Sequence, residues 1–234
     1  MDYFDLSPDK FAWRGSRPHE IETRRADMSD QLIFDVLLVR GGIREPDSLW
    51  PPHDPTGLRR LLDAIQTSSY DALKNDCLVY FLLKWHQDGR EAQFAQELAI
   101  PPQFVSITDA YWHLDSGVDA ARAIGLLSDA RVHREYSSKV IQALSLAPNP
   151  SPLIVRFVRT VKPALTEPGD IDAYLLALAE TSFLEAWLYQ RSFPDDDKMR
   201  GRLLQKIVEW CFVRTSCCMT TSNVTLIDND SRTA

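Results

Sequence analysis

Residues 70–85 read YDALKNDCLVYFLLKW, and no other segment of the chain constrains the architecture as strongly. From Cys77 to Leu83 the side chains are apolar on every side of a helix. A helix that is apolar all round is covered by other elements, so the sequence predicts a central helix from Tyr70 to Trp85. Asp88-Gly89 follows and predicts a turn.

Outside this segment the chain repeats one pattern, in which a short amphipathic helix is followed by a turn and another helix. The apolar residues that share a helical face are Leu58, Leu61, Leu62 and Ile65 upstream, and Phe104, Ile107, Tyr111 and Leu114 downstream. Glycine is scarce, with 9 residues in 234, which favours helix over sheet. We therefore predict an all-α fold, an irregular α-solenoid of stacked antiparallel helical hairpins without a fixed-period repeat.

The same pattern divides the chain into an arm, one helical domain and a tail. Residues 1–19 are polar and predict an N-terminal arm. The helical domain spans 20–214, opens with a helix from Glu20 to Val39, and contains a proline-rich segment at 44–55 that predicts an extended linker. Threonine, serine, asparagine and aspartate dominate residues 215–234, which predicts a disordered C-terminal tail.

Composition and charge restrict the function classes. A hydrophobic fraction of 44% and a charged fraction of 25% are ordinary for a soluble globular protein. The net charge of −7 removes the usual reason to propose a nucleic-acid binder, because such domains are generally basic. No run approaches ~18 apolar residues, so no membrane span is expected. The sequence shows neither a signal peptide nor a disulfide framework, which indicates a reducing compartment.

The sequence contains no recognisable catalytic constellation. The histidines are scattered, and no two of them have the i, i+4 spacing of a helical metal site; they are His19, His53, His86, His113 and His133. No glycine-rich phosphate loop and no nucleophile elbow occurs. We therefore predict no catalytic residue, no cofactor, no metal ligand and no small-molecule substrate.

Acidic residues keep one alternative open, a small helical metal-dependent enzyme. It would use Asp195–Asp197 together with Asp115 and His113, and it needs these groups to converge in one pocket. Helix capping is the other interpretation of the same carboxylates, since acidic side chains at a helix N-terminus interact favourably with its dipole.

Basic residues near the N-terminus keep a second alternative open, a chromatin- or DNA-binding adaptor. The stretch Arg14-Gly-Ser-Arg-Pro18 resembles the core of a minor-groove DNA hook, although Ser16 stands where that hook has an arginine. Arg14 and Arg17 would then form a basic face with Arg24 and Arg25. A solvated arm is the interpretation that competes with it.

Six motifs, in order between Ser69 and Trp210, resemble the ELYS-like domain, the helical module of a nuclear-pore assembly protein. They are Lys74–Leu83, Phe94–Pro102, Tyr111–Asp115 with Ala120–Leu127, Lys139–Leu144, Glu185–Arg191 and Leu203–Trp210. The positions that match the family's motifs, which we expect to be mainly structural, are Tyr80, Phe94, Pro101, Pro102, Tyr111, Trp112, Leu114, Asp115, Leu127, Glu185, Trp187 and Arg191.

The resemblance implies a structural nucleoporin, located in the nucleus at the pores of the nuclear envelope and linked through them to mRNA transport. Such proteins dock on the propeller-plus-solenoid arm of the Y-shaped scaffold complex and support pore assembly. The resemblance further implies the short form found in fungi, or a truncated form, without the β-propeller and the DNA-hook tail of the animal members. A scaffold of this kind predicts an exposed apolar or aromatic surface on some helix face, whose position the sequence leaves open.

Overall fold

The computed structural model describes residues 3–7, 9–129 and 136–224, with side chains as far as Arg214. Over these residues the chain is all-helical, with twelve α-helices, two short 3-10 helices and no strand. The predicted all-α class is therefore confirmed, and the packing of consecutive helices is consistent with a solenoid-like arrangement. None of the described helices has the length and apolar content needed to cross a membrane. His133 and residues 225–234 lie outside the described residues.

The first compact unit, Met1–Ala164, holds the N-terminal helices. They are α1 (Arg17–Asp27), α2 (Ile33–Arg40), α3 (Pro55–Gln66), α4 (Ala72–Leu83), α5 (Arg90–Glu97), α6 (Pro102–Ser116), α7 (Ala120–Leu127), α8 (Ser137–Ser145) and α9 (Pro150–Val161). Two 3-10 helices, Pro46–Ser48 and Lys84–His86, precede α3 and follow α4. Neighbours along the chain pack on each other, most extensively α6 on α7.

The second compact unit, Leu165–Ala234, contains three helices that all pack against one another. They are α10 (Pro168–Thr181), α11 (Phe183–Arg191) and α12 (Lys198–Val224). The backbone of α12 continues past Arg214, where the sequence predicts the end of the helical domain. Leu175, Leu203 and Ile207 are buried at the centre of this unit.

Helix α4 lies at the centre of the first unit, as its apolar run predicts. The Asp71 carboxylate caps its first turn by accepting a hydrogen bond from Lys74 N at 2.9 Å. Phe81 is fully buried, and its ring stacks on Phe34 with centroids 4.2 Å apart. Trp50 makes an edge contact with Phe34 at 5.0 Å and lies 5.7 Å from Trp85. Each such aromatic pair adds about 0.5–1.5 kcal/mol beyond the burial of its surface.

Two segments that the sequence predicts to be peripheral contribute to this core. Trp13, in the predicted arm 1–19, is 1% exposed and touches Trp50, which lies in the predicted linker 44–55 and is fully buried. Both segments have a polar or proline-rich composition, and an isolated aromatic leaves no periodic signal in such a background. The linker is also not uniformly extended, because it contains the 3-10 helix Pro46–Ser48.

The single helix predicted from Glu20 to Val39 is wrong, since the chain forms α1 and α2 with a reversal between them. Ser29 and Asp30 both have φ 57°, a left-handed conformation that aspartate tolerates and that ends a right-handed helix. Met28 and Leu32 on either side are fully or almost fully buried, so the apolar spacing runs through the turn and conceals the break.

Candidate docking surface

Nine of the motif positions lie in the first unit and mostly in its core. Tyr80, Phe94, Tyr111, Trp112, Leu114, Asp115 and Leu127 are buried, and Pro101 and Pro102 form the N-terminus of α6. Tyr80 connects α4 to α6, because its hydroxyl donates to Asp109 Oδ1 at 2.9 Å. Lys84 pairs with the same carboxylate oxygen at 2.7 Å and lies 5.4 Å from the Trp112 ring centroid. Burial and the Asp109 carboxylate both raise the pKa of Tyr80.

Asp115 has a structural position that its sequence neighbours do not reveal. It is 2% exposed, and its two oxygens accept hydrogen bonds from Ile33 N at 3.0 Å and Phe34 N at 2.8 Å. A residue of α6 thus caps the N-terminus of α2. Asp35 completes the cap by accepting from Leu32 N at 2.8 Å.

Burial raises the pKa of Asp115 to about 7, while the hydrogen bonds from Phe34 and Ile33 act in the opposite direction. The charge of Arg24 also lowers the pKa of Asp115, and burial lowers the pKa of Arg24 itself. Asp115 on α6 therefore interacts with the backbone of α2 and with the charge of Arg24 on α1.

The arginines proposed as a basic face are bound to the protein itself. Arg24 donates to Leu114 O at 2.6 Å and to Ala143 O at 3.4 Å, at the C-terminal ends of α6 and α8. Gly117 makes room for it, since a Cβ there would lie 2.9 Å from the guanidinium and φ is +71°.

Arg25 and Arg17 are bound in the same way. Arg25 forms a two-pronged ion pair with Asp35 at 2.8 and 2.9 Å and also donates to Trp50 O at 2.6 Å. Arg17 donates to Ala12 O at 2.7 Å and to Trp85 O at 2.9 Å. Arg14 donates to the backbone oxygen of Asp9. The DNA-binding alternative thus loses the free basic face that it needs.

The residues of the metal-enzyme alternative also have structural partners. The Asp115 oxygens accept the α2 amides, Asp195 pairs with Arg200, and Asp197 accepts from Met199 N at 2.8 Å at the start of α12. Among the residues that the structure describes, no three His, Cys, Asp or Glu side chains are grouped as ligands of a metal ion. His113 is buried, which lowers its pKa.

Helix α11 buries and exposes its side chains in the opposite way to an ordinary amphipathic helix. Its buried positions are Ala186 and Gln190, whereas Leu184 is 65% exposed, Leu188 is 56% exposed and Trp187 is 37% exposed. The helix therefore turns Leu184, Trp187 and Leu188 to solvent and Ala186 and Gln190 to the core. Contiguous exposed apolar side chains of this kind are typical of interaction sites.

The apolar surface of α11 continues onto α12 through one aromatic pair. Phe183, which is 47% exposed, stacks with Trp210 at a centroid distance of 6.4 Å and an interplanar angle of 21°. We call the exposed apolar side chains Phe183, Leu184, Trp187 and Leu188, together with the partly buried Trp210, the α11 face. Further exposed apolar residues on α12 are Leu204, Val208, Phe212 and Val213.

The α11 face confirms the prediction that some helix face exposes apolar side chains. Trp85 and Trp112 are core residues, at 6% and 4% exposure, whereas Trp187 is exposed. The sequence did contain the signal, since residues 183, 184, 187 and 188 lie on one broad arc that excludes Ala186 and Gln190.

A comparison with known families gives this surface a context. The family model described as ELYS, nuclear pore complex assembly, matches residues 31–229. This chain belongs to the ELYS family. A relative of this ELYS chain is the fission yeast (Schizosaccharomyces pombe) protein ely5, itself uncharacterized, with 29% identity over 209 residues that cover 88% of this chain and 68% of ely5. ELYS membership implies a role in nuclear pore complex assembly, and with it a location at the nuclear pore and protein partners there.

Proposed function

We propose that this chain is a non-enzymatic scaffold nucleoporin that docks on the Y-shaped complex of the nuclear pore, on its propeller-plus-solenoid arm. Family membership supports the assembly role, and the α11 face is the observation that carries the docking. Leu184, Trp187 and Leu188 leave part of their apolar surface outside the core of their own unit. A partner that covers these side chains removes apolar surface from water, which stabilises the complex by about 25 cal/mol per Å².

The composition of the face fits a protein interface. Tryptophan and arginine are enriched among the residues that dominate binding energy, and Trp187 and Arg191 lie one turn apart on α11. The basic residues on α1 are held in internal hydrogen bonds, so a nucleic acid is a poorer partner than a protein.

Binding of the purified chain to the reconstituted Y-complex arm tests the proposal, for example by biolayer interferometry. We expect saturable binding by the wild-type chain and at least about tenfold weaker binding by the double variant Leu184→Asn, Leu188→Asn. The matched control is the double variant Leu98→Asn, Val118→Asn, which changes two exposed apolar residues of the first unit, 44% and 63% exposed. Absence of any complex between the wild-type chain and the arm would refute the proposed function.

A further inference from the structure

An exposed serine lies in the N-terminal segment that packs on the first unit. Ser7 directly precedes Pro8, and Lys10 stands three positions after it, so residues 7–10 read Ser-Pro-Asp-Lys. Proline-directed serine/threonine kinases recognise a proline directly after the serine and a basic residue three positions after it. Ser7 therefore has both the sequence context and the exposure that such a kinase requires.

The chain contains one other serine that is followed by proline, and it provides an internal contrast. Ser151 lies in the first turn of α9, is 6% exposed, and has Ile154 three positions after it instead of a basic residue. A kinase binds its substrate as an accessible segment without helical structure, which a buried serine in a helix does not offer. Residues 3–7 and 9–16, by contrast, contain no helix and no strand. Of these two serines, Ser7 is the one that a kinase can reach.

Two aromatic residues before Ser7 attach the beginning of this segment to the surface of the first unit. The Tyr3 ring lies edge-on to Phe94 of α5, with ring centroids 5.0 Å apart. Phe4 is 7% exposed, and its ring centroid lies 5.8 Å from that of His86. These rings therefore cover α5 and the 3-10 helix that precedes it.

The aromatic residues after Ser7 are attached more firmly. Phe11 and Trp13 are 5% and 1% exposed, and their rings contact each other at 5.7 Å. Trp13 also contacts Trp50, which is fully buried in the core. Ser7 thus separates a peripheral attachment from a central one, so a change at Ser7 can release the first while the second stays in place.

The hydroxyl of Ser7 has a partner that phosphorylation removes. Ser7 Oγ donates to Asp5 Oδ1 at 2.5 Å, and Ser7 N donates to the same oxygen at 3.0 Å. These hydrogen bonds lower the pKa of Asp5, so its carboxylate is charged at neutral pH. A phosphoserine has no hydroxyl hydrogen to donate to this carboxylate, and it brings its own negative charge close to it.

The charges around Ser7 make this repulsion stronger. Residues 5–10 contain Asp5, Asp9 and Lys10, a net charge of −1 that a phosphate at pH 7 changes to about −3. Lys10 already pairs with Asp5 at 3.5 Å, and Arg90 already pairs with Asp88 at 2.5 Å. The repulsion between the phosphate and Asp5 acts on the side of Ser7 where the peripheral attachment lies.

We propose that Ser7 is a phosphorylation site of a proline-directed kinase, and that its phosphate detaches Tyr3 and Phe4 from the helices that they cover. Trp13 stays in the core. The kinase transfers the γ-phosphoryl group of Mg-ATP: the bond from Ser7 Oγ to phosphorus forms, the bond from this phosphorus to the bridging oxygen of ADP breaks, and the hydroxyl proton passes to the base of the kinase. Detachment exposes Phe94, which is 5% exposed in the structure. The proposal is independent of docking through the α11 face.

Phosphorylation of the purified full chain tests the site. The chain is incubated with a recombinant cyclin-dependent kinase, its cyclin and Mg-ATP, and the phosphopeptides are quantified by mass spectrometry. We expect at least about tenfold more phosphate on Ser7 than on Ser151, because α9 must open before a kinase can reach the latter. Lys10→Ala should slow the reaction at Ser7 about threefold, since one exposed charge contact with the kinase is lost. Absence of phosphate on Ser7, or equal amounts on both serines, would overturn the proposal.

Hydroxyl-radical footprinting of the phosphorylated and unphosphorylated chains measures the detachment. The oxidation rate of a side chain follows its exposure, so we expect Phe4 and Phe94 to be oxidised at least about threefold faster after phosphorylation. The rate at Trp50 should not change, because Trp13 continues to cover it. Ser7→Ala is the matched control, since it removes the hydroxyl without adding charge, and it should change these rates less than the phosphate does.

The backbone around Ser7 also defines the opposite result. Ser7 O accepts hydrogen bonds from Lys10 N at 3.0 Å and Phe11 N at 2.9 Å, so Ser7 begins a turn whose N-terminal end attracts negative charge. A phosphate that tightened this turn would make the oxidation of Phe4 slower. Slower or unchanged oxidation of Phe4 in the chain phosphorylated at Ser7 would therefore overturn the proposed detachment.

Discussion

Replacing Asp115 by alanine tests whether one buried carboxylate on α6 holds the N-terminus of α2. In the wild type its oxygens accept from Ile33 N at 3.0 Å and Phe34 N at 2.8 Å, and the residue is 2% exposed. Asp115→Ala leaves both amides without these acceptors in a region that water reaches poorly. Ile33 and Phe34 are themselves fully buried, so the amides have little access to a replacement.

The magnitude follows from two opposing contributions. Each buried amide that is left without its acceptor costs about 1–3 kcal/mol, and two are affected, so we expect a loss of about 2–4 kcal/mol in the free energy of unfolding at pH 5, where Asp115 is protonated. At pH 8 the variant also loses a buried charge whose desolvation is unfavourable, which offsets part of this loss. Asp119→Ala is the matched control, because Asp119 is an exposed cap that accepts one bond from Arg122 N at 2.9 Å and should cost about 1 kcal/mol.

The pH dependence of this loss has a definite sign. The pKa of Asp115 is raised by burial to about 7, above its unfolded value of 3.8, so the native state binds the proton more tightly. Its contribution to stability is fully present below pH 4 and is lost as the pH rises through 7. The destabilisation by Asp115→Ala should therefore be larger at pH 5 than at pH 8.

Urea unfolding followed by circular dichroism at pH 5 and pH 8 measures these differences for the wild type and both variants. If Asp115→Ala costs no more than Asp119→Ala, or if its cost increases with pH, Asp115 does not hold the N-terminus of α2 in this way.

Three further predictions concern other parts of the molecule. Burial and the nearby Arg90 lower the pKa of His86 to about 4, so the contribution of His86 to stability is lost as the pH falls from 6.5 towards 4, and the melting temperature of His86→Gln relative to that of the wild type should rise over this range. Arg24→Met should cost about 2–3 kcal/mol in urea unfolding, because the carbonyls of α6 and α8 lose their donor. Leu184→Asn should change the melting temperature by less than the equivalent of about 0.5 kcal/mol while it weakens partner binding, since the side chain is 65% exposed.

The local spacing of apolar residues was sufficient to predict the helices that bury a continuous apolar face. The run Cys77–Leu83 predicted α4 and its central position, because such a helix has no stable alternative to burial. The pattern failed between α1 and α2, where Met28 and Leu32 keep helical spacing across a left-handed turn.

The sequence pattern could not predict contacts between residues that are far apart in the chain. The partners of Asp115 are more than 80 residues away in sequence, and those of Arg24 are 90 and 119 residues away. Nothing in their own neighbourhood distinguishes them from solvated charges. For the candidate site the sequence predicted that a docking surface exists and contained the arc of apolar residues on α11. The burial of Ala186 and Gln190 was needed to show that this arc faces solvent and not the core.

Helix α1 also determines where this domain can be cut. The family match begins at residue 31, after the end of α1 at Asp27. A fragment that starts there would lack Trp13 and the three arginines that tie α1 to α2, α6, α8 and the 3-10 segments. The region that matches the family is thus shorter at its N-terminus than the region whose side chains pack together. A recombinant domain should start upstream of Phe11 to retain the aromatic residues that contact Trp50.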